Sequence, residues 1–173
     1  MNLPTLGCLL GDRNGIGPEI AVKLLADPGI AAQARIVVVG DPQVLAHGQE
    51  VTGLSLAAGV RFIERTMCPR EPFGTGKVSA AAGAEVLDHL KYLLELFSAG
   101  TIDGIVFAPL NKQAMRLGGL TAGDELDFVV AQLGFRGGHG TAYDIVGRNS
   151  ARADGMREAL RVCIDMARAR QRG

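Results

Sequence analysis

The stretch GDRNGIGPEI, residues 11–20, places three glycines and a proline where an apolar run gives way to a helix-forming one. Glycine lets the backbone adopt positive φ and approach a bound group without a Cβ clash. The helix that follows offers free N–H groups and a positive dipole end, which suit a phosphate or a carboxylate. Pro18 removes one donor, Glu19 already supplies negative charge, and the spacing differs from the dinucleotide fingerprint. We predict a loop that faces a ligand, with a plain tight turn as the alternative.

The stretch FAPLNKQA, residues 107–114, places Asn111 and Lys112 directly after a second apolar run. If both runs are parallel strands, these residues share an edge of the sheet with the glycine-rich loop, where such folds bind ligands. A lysine at this position can hold an anionic substrate. A solvated residue at the start of a helix is an equal alternative.

Two further polar positions are candidates for a site. Asp124 opens an acidic helix start, which is most often a capping arrangement; a general-base or metal role would need partners that the sequence does not identify. His139 is flanked by glycines in GGHGTA, so we predict either a site residue or a structural turn. His47 and His89 are predicted to be surface or helix residues, and no two histidines have metal-ligand spacing.

One glycine-rich stretch, residues 72–79 (PFGTGKVS), is similar to a phosphate-binding P-loop but departs from the pattern. Glu71 stands where glycine is needed, and Val78 where serine or threonine is needed. We therefore interpret this stretch as a loop before a long helix.

The composition is that of an ordinary globular protein. The 173 residues are 47% hydrophobic and 21% charged, and 18 Lys plus Arg balance 18 Asp plus Glu, so no overall field attracts nucleic acid or an anionic membrane. Neither a basic leader nor a run long enough to span a membrane is present. Cys8, Cys68 and Cys163 are odd in number and widely spaced, which favours buried thiols in a reducing cytoplasm.

Continuous apolar runs alternate with helical patterns along the chain. Runs of this kind without polar alternation, each followed by a helix, predict a three-layer α/β/α fold with a mostly parallel sheet. We predict one domain, residues 1–173, in which 135–173 return to the part formed by 1–134. The strands are predicted at 3–10, 35–40, 60–64 and 102–109, and the helices at 18–26, 42–47, 77–99, 111–119, 124–134 and 154–172.

Four segments in order resemble the 4-hydroxythreonine-4-phosphate dehydrogenase (PdxA) family. They are GDRNGIGPEIAVKLLA, GKVSAAAG, FAPLNKQAM and HGTAYDIVGRNSARADGMREAL, and the resemblance runs from Leu6 to the last helix. The family is related in fold to isocitrate and isopropylmalate dehydrogenases, which have two domains. The resemblance implies one domain of the usual two.

The resemblance also implies an activity, which is the NAD-dependent oxidation of a secondary alcohol assisted by a divalent metal. The implied substrate is a small phosphorylated hydroxy acid, 4-phosphohydroxythreonine of pyridoxal phosphate biosynthesis or a phosphothreonate. A homo-oligomer is a further expectation, since removal of one domain would expose its former interface. The implied roles are cofactor binding for Gly11, Asp12, Gly15, Gly17 and Glu19, substrate binding for Asn111, Lys112 and Asp124, and catalysis for Lys112, Asp124 and His139.

The sequence departs from the family in its middle. The family's three metal-binding histidines stand in contexts like THxPL, NPHAGE and YHDQG, and none of these occurs here. The chain passes from VVAQLG almost directly to GGHGTA, which predicts an internal shortening near residues 133–138. His139 matches a later block that holds no metal ligand, and Asp124 stands where a substrate-binding histidine is expected. No metal ligand is therefore assigned.

Two functions remain open. The first is a PdxA-type dehydrogenase that is impaired, or that needs another polypeptide to supply the missing half. The second is a non-catalytic remnant that binds a nucleotide or a partner. The chemistry favours the second function. Stabilisation of developing charge is usually the largest catalytic contribution, and the histidines that would hold the metal for it are missing from this sequence.

Overall fold

Four parallel strands form one sheet in the order β3-β2-β1-β4. The computed structural model describes residues 3–67, 76–120 and 148–170. Each predicted strand is present, and three of the four are shorter than predicted because the ends of the apolar runs belong to loops. The strands are β1 (Thr5–Leu9), β2 (Arg35–Gly40), β3 (Arg61–Glu64) and β4 (Gly104–Phe107).

The central strand β1 pairs with β2 on one side and with β4 on the other. Leu6 lies opposite Ile36 and Gly104, and Cys8 lies opposite Val38 and Val106. A strand covered on both faces has no solvated side, which is why these runs are apolar throughout. The predicted α/β class with a parallel sheet is confirmed.

Six helices connect and cover the strands in the described ranges. They are α1 (Gly17–Leu25), α2 (Pro28–Ala31), α3 (Pro42–Thr52), α4 (Ala80–Ser98), α5 (Lys112–Leu117) and α6 (Asp154–Arg170). The short helix α2 was not predicted, and α3 is longer than the predicted 42–47. Helix α3 ends at Thr52 and is capped by Gly53, whose φ of +68° is a left-handed conformation that glycine adopts without strain.

The helices cover both faces of the sheet, so that the described chain has three layers. On one face α1, α3 and α6 pack against Leu6, Cys8 and Ile36 in one apolar cluster. On the other face α4 packs against Leu9 and Val39 in a second cluster. The predicted helix at 124–134 lies outside the described residues.

The C-terminal segment returns to the start of the fold. The Lys23 ammonium donates to the Glu19 carboxylate at 2.9 Å and to the carbonyls of Asn149 and Ala151 at 3.0 and 2.8 Å. The Ala151 N–H donates to the same Glu19 oxygen at 2.8 Å. These contacts join 149–151 to α1, in keeping with a single domain over 1–173, which stays a prediction.

Two of the three thiols are buried and free. Burial raises the pKa of Cys8 to about 12 and that of Cys163 to about 11. The buried-thiol prediction is confirmed for these two, and Cys68 lies outside the described residues. None of the described helices combines the length and the apolar character needed to cross a membrane.

Candidate functional site

The carboxyl ends of β1 and β4 form a switch point in the sheet. After β1 the chain turns to one face, where α1 packs with α3, and after β4 it turns to the other face, where α5 packs with α4. Open α/β sheets bind ligands in the crevice at such a point, because the two following loops diverge there. The loops at residues 10–16 and 108–111 are therefore the candidate site.

A backbone contact joins these two loops. The Asp12 N–H donates to the Pro109 carbonyl at 3.0 Å, and Gly11 has a φ of +87°. A Cβ at Gly11 would lie 2.6 Å from the Pro109 oxygen, and a Cβ at Gly17 would lie 2.7 Å from the Leu10 oxygen. Both glycines are needed so that protein backbone can approach protein backbone. The tight-turn interpretation accounts for these two positions without a ligand.

The loop after β1 is buried under the segment that precedes α4. Asp12, Arg13 and Asn14 are 1%, 5% and 4% exposed. The Asn14 side-chain amide donates to the Lys77 carbonyl at 3.1 Å, and the Gly76 N–H donates to the Asn14 carbonyl at 2.8 Å. The Asp12 carboxylate accepts from the Asn14 N–H at 2.9 Å, which holds the turn from inside.

A buried ion pair joins the same loop to α4. The Arg13 guanidinium donates to the Glu85 carboxylate at 2.8 Å, with both side chains almost fully enclosed. Burial raises the pKa of Glu85 to about 7, the Arg13 charge lowers it, and the negative charges of Asp41 and Asp12 raise it further. Sequence reasoning missed this pair. The only signal was a polar position four residues before His89, beside the apolar stripe of α4.

Polar groups also line the carboxyl ends of β2 and β3. Asp41 caps α3 by accepting from the Gln43 N–H at 2.7 Å, while its other oxygen is buried with no hydrogen-bond partner among the described residues. His89 Nε2 lies 2.7 Å from the carbonyl of Arg65, whose guanidinium pairs with Asp88 through two nitrogens. Burial lowers the pKa of His89. His89 is in a helix as predicted, but it is buried rather than at the surface.

The residues after β4 lie where the sequence predicts them. The Asn111 side chain accepts from the Ala114 N–H at 2.9 Å and so caps α5. Lys112 is the first residue of α5 and is exposed. The structure thus brings Asn111 and Lys112 to the same edge as Gly11 and Asp12.

The remaining predicted site residues lie in the turn after β1, in α1 and outside the described residues. Gly15 belongs to the buried turn, and its N–H donates to the Asp12 carbonyl at 3.0 Å. Glu19 lies in the first turn of α1, where its carboxylate accepts from Lys23 and from the Ala151 N–H. Asp124 and His139 lie outside the described residues, so their predicted roles stay predictions.

The described residues do not fit a bound divalent metal. Within 3–67, 76–120 and 148–170, no group of three or more histidine, cysteine, aspartate or glutamate side chains is placed to hold one. In the direction of an added Cβ, the Gly11 and Gly17 Cα atoms leave no room for a cofactor phosphate, because protein backbone already fills that space. The predicted cofactor contacts of these residues are otherwise untested. We assign no chemical step to either group.

The fold and the switch point define the class of protein, an open parallel α/β domain with its candidate site at the carboxyl edge. The model of the family described as pyridoxal phosphate biosynthetic protein PdxA matches residues 32–138. The chain belongs to this family.

Individual relatives agree with the family match. The chain is 37% identical, over 78% of its length, to a Pasteurella multocida protein named provisionally as a 4-hydroxythreonine-4-phosphate dehydrogenase. It is 35% identical, over 68% of its length, to the D-threonate 4-phosphate dehydrogenase of Cupriavidus necator. A crystal structure of a 4-hydroxythreonine-4-phosphate dehydrogenase from Burkholderia phymatum superposes with a TM-score of 0.67 at 29% identity over 79% of this chain.

The match covers only part of each relative. The chain spans 45% of the Pasteurella multocida protein, 39% of the Cupriavidus necator enzyme and 46% of the Burkholderia phymatum chain. Activity and substrate are therefore matters for proposal.

Proposed function

We propose that this chain supplies one wall of a PdxA-type dehydrogenase site and binds a small phosphorylated hydroxy acid there. The relatives are named for 4-hydroxythreonine 4-phosphate and D-threonate 4-phosphate, which share a phosphate and an oxidisable hydroxyl. The observation that carries the proposal is the position of Lys112, exposed at the start of α5 beside the joined loops of the switch point.

The role of each residue follows from its contacts. Lys112 presents a positive charge to the phosphate, and charge-assisted hydrogen bonds of this kind are the strong ones. Asn111 sets the direction in which α5 begins, because its side chain caps that helix. The Asp12–Pro109 contact fixes the distance between the loops that flank the ligand. The proposed pocket is thereby arranged before the ligand arrives.

Oxidation of the hydroxyl needs groups beyond the described residues. By resemblance to the family, NAD would supply the hydride acceptor, a role that no amino-acid side chain can fill. We propose that the groups for this step come from residues outside the described ranges, such as Asp124 and His139, or from a second polypeptide. The predicted cofactor contacts at Gly11, Asp12, Gly15, Gly17 and Glu19 stay predictions.

Titration calorimetry with D-threonate 4-phosphate tests the binding. Lys112→Met is expected to weaken affinity about 10- to 100-fold, the loss of one hydrogen bond to a charged group. Lys91→Met is the matched control, because Lys91 is exposed on α4 about two turns beyond the residues that meet α5, and it is expected to leave affinity unchanged. Equal affinity of Lys112→Met and the unmodified chain would refute the assignment.

A second measurement separates the two functions left open by the sequence. NADH formation from either phosphorylated substrate is followed with magnesium, manganese, cobalt or zinc present. Turnover that a chelator abolishes supports the dehydrogenase. No turnover, together with a rise in melting temperature on adding NAD, supports a nucleotide-binding remnant. The observation that supports this second candidate is the shortened sequence between VVAQLG and GGHGTA, where the family's metal-binding histidines would stand.

A further inference from the structure

A buried group of ionisable side chains lies beneath the candidate site, and we call it the latch. It consists of Asp12 and Arg13 in the loop after β1, Asp41 at the start of α3, and Glu85 in α4. We propose that Glu85 takes up a proton inside the latch and that this protonation stabilises the folded chain. The inference does not depend on the proposed function.

The latch joins parts of the fold that are distant in sequence. Arg13 and Glu85 are 72 residues apart, and their side chains are 5% and 6% exposed. The contact ties the loop at the carboxyl end of β1 to the first half of α4. A change in the charge of Glu85 therefore acts directly on the attachment of the candidate-site loop.

The charges around Glu85 are unbalanced. Of the described groups that act on it, Arg13 is cationic, whereas Asp12 and Asp41 are anionic. Asp41 brings a buried carboxylate oxygen that has no hydrogen-bond partner in the described chain. On α4 itself, His89 lies one turn later and is buried. The Arg13 guanidinium favours the charged form of Glu85, but burial removes the hydration of the carboxylate, and the two like charges oppose its ionisation. Together these effects outweigh the Arg13 charge, so that Glu85 keeps its proton to a higher pH than a solvated glutamate does.

The expected titration agrees with this geometry. The pKa of Glu85 is raised to about 7, and the largest cause is burial. The folded chain therefore holds a proton that the unfolded chain has released at the same pH. For an acid with a raised pKa, stability is greatest below the unfolded pKa and is lost as the pH rises through the folded one. The window is thus from about pH 4.5 to about pH 7.

His89 acts with the opposite sign, so the whole chain does not isolate Glu85. Burial lowers the pKa of His89, and its contribution to stability is lost as the pH falls below its ordinary value of 6.5. The informative quantity is the difference between the unmodified chain and Glu85→Gln, a neutral variant of nearly the same shape. Glu95→Gln is the matched control, because Glu95 is exposed on the same helix.

Urea denaturation of the three chains at about pH 5.5 and about pH 8 tests the proposal. We compare the ratio of two folding equilibrium constants, that of the unmodified chain over that of Glu85→Gln. This ratio is expected to fall on the order of tenfold or more from the lower pH to the higher one. The ratio for Glu95→Gln is expected to stay constant. A constant ratio for Glu85→Gln would overturn the proposal.

Two further measurements identify the group and do not require Glu85→Gln to fold. Carbon NMR of the Glu85 carboxyl in the unmodified chain is expected to titrate near neutral pH, and a midpoint below about pH 5 would overturn the proposal. Arg13→Gln removes the charge that lowers this pKa. The Glu85 midpoint in that variant is therefore expected to move to higher pH, and a move to lower pH would contradict the latch.

Discussion

Replacing Gly83 with alanine should displace α5 from α4. Gly83 lies in the first half of α4, directly against the backbone of α5. A Cβ built on Gly83 would lie 1.8 Å from the Ala114 carbonyl oxygen and 2.7 Å from the Met115 nitrogen. Gly118 at the end of α5 meets α4 in the same way, with its Cβ position 2.3 Å from the Ala84 nitrogen. The two helices approach each other through glycine on both sides.

The magnitude follows from two opposing effects. Within a helix, glycine to alanine alone stabilises by about 0.5–1 kcal/mol, because alanine loses less conformational entropy on folding. Ordinary contact begins at 3.4 Å, so the 1.8 Å approach requires α5 to move by about 1.6 Å. The obstructing atoms are backbone and cannot rotate away, and such overpacking costs about 1–3 kcal/mol. The difference of the two effects lies between about 0 and about 2.5 kcal/mol, and the short backbone distance puts Gly83→Ala in the upper half of this range, a loss of about 1–2.5 kcal/mol in the free energy of unfolding.

Urea denaturation of the unmodified chain, Gly83→Ala and Ala81→Gly measures this balance. Ala81 lies in the same turn and reports helix propensity, so Ala81→Gly is expected to cost about 1 kcal/mol without moving α5. Because Lys112 opens α5, Gly83→Ala should also weaken binding of D-threonate 4-phosphate. If Gly83→Ala stabilises the chain by about the amount that Ala81→Gly destabilises it, the close approach of the helices is refuted.

Two other predictions concern contacts outside the candidate site. Lys23→Met should lower the free energy of unfolding, measured by urea denaturation, by about 3 kcal/mol, because it leaves the buried Glu19 carboxylate without its cation. The double variant with Glu19→Gln should recover part of this loss, and additive losses would contradict the pairing. Cys8 and Cys163 should resist alkylation at about pH 8 until the chain unfolds, since burial raises the pKa of both thiols. Mass spectrometry of the alkylated peptides measures this, and labelling of either cysteine in the folded chain would contradict it.

The parallel sheet could be predicted because its signal is local. A strand buried on both faces must be apolar along its length, and a run such as RIVVVG at 35–40 can be recognised as such a strand from the sequence alone. The position of Lys112 followed in turn, since a residue directly after a buried strand lies at the carboxyl edge. Helix α4 was equally visible from its apolar stripe, and its observed bounds, Ala80–Ser98, lie within the predicted range.

The latch could not be predicted, because its signal is not local. Glu85 is one of several charged residues on an amphipathic helix, and its one local signal, His89 one turn later, does not distinguish it from a solvated glutamate. Its burial follows from the packing of α4 on a loop 72 residues earlier. The contact of the Glu19 carboxylate with the Ala151 N–H, 132 residues away in sequence, was invisible for the same reason.

The loop at residues 10–16 and the start of α1 are held by contacts from three directions, which accounts for their burial at the carboxyl edge of the sheet. A hydrogen bond from the Asp12 N–H to the Pro109 carbonyl joins the loop to the segment after β4. A second one, from the Asn14 side chain to the Lys77 carbonyl, joins it to the segment before α4. The start of α1 is held by Ala151, 132 residues from Glu19 in sequence. A loop fixed in this way holds the carboxyl edge of the sheet in position. The binding group that we propose, Lys112, lies exposed beside this loop. If that proposal holds, we expect the pH response of the latch to reach a ligand only through a shift of this whole edge.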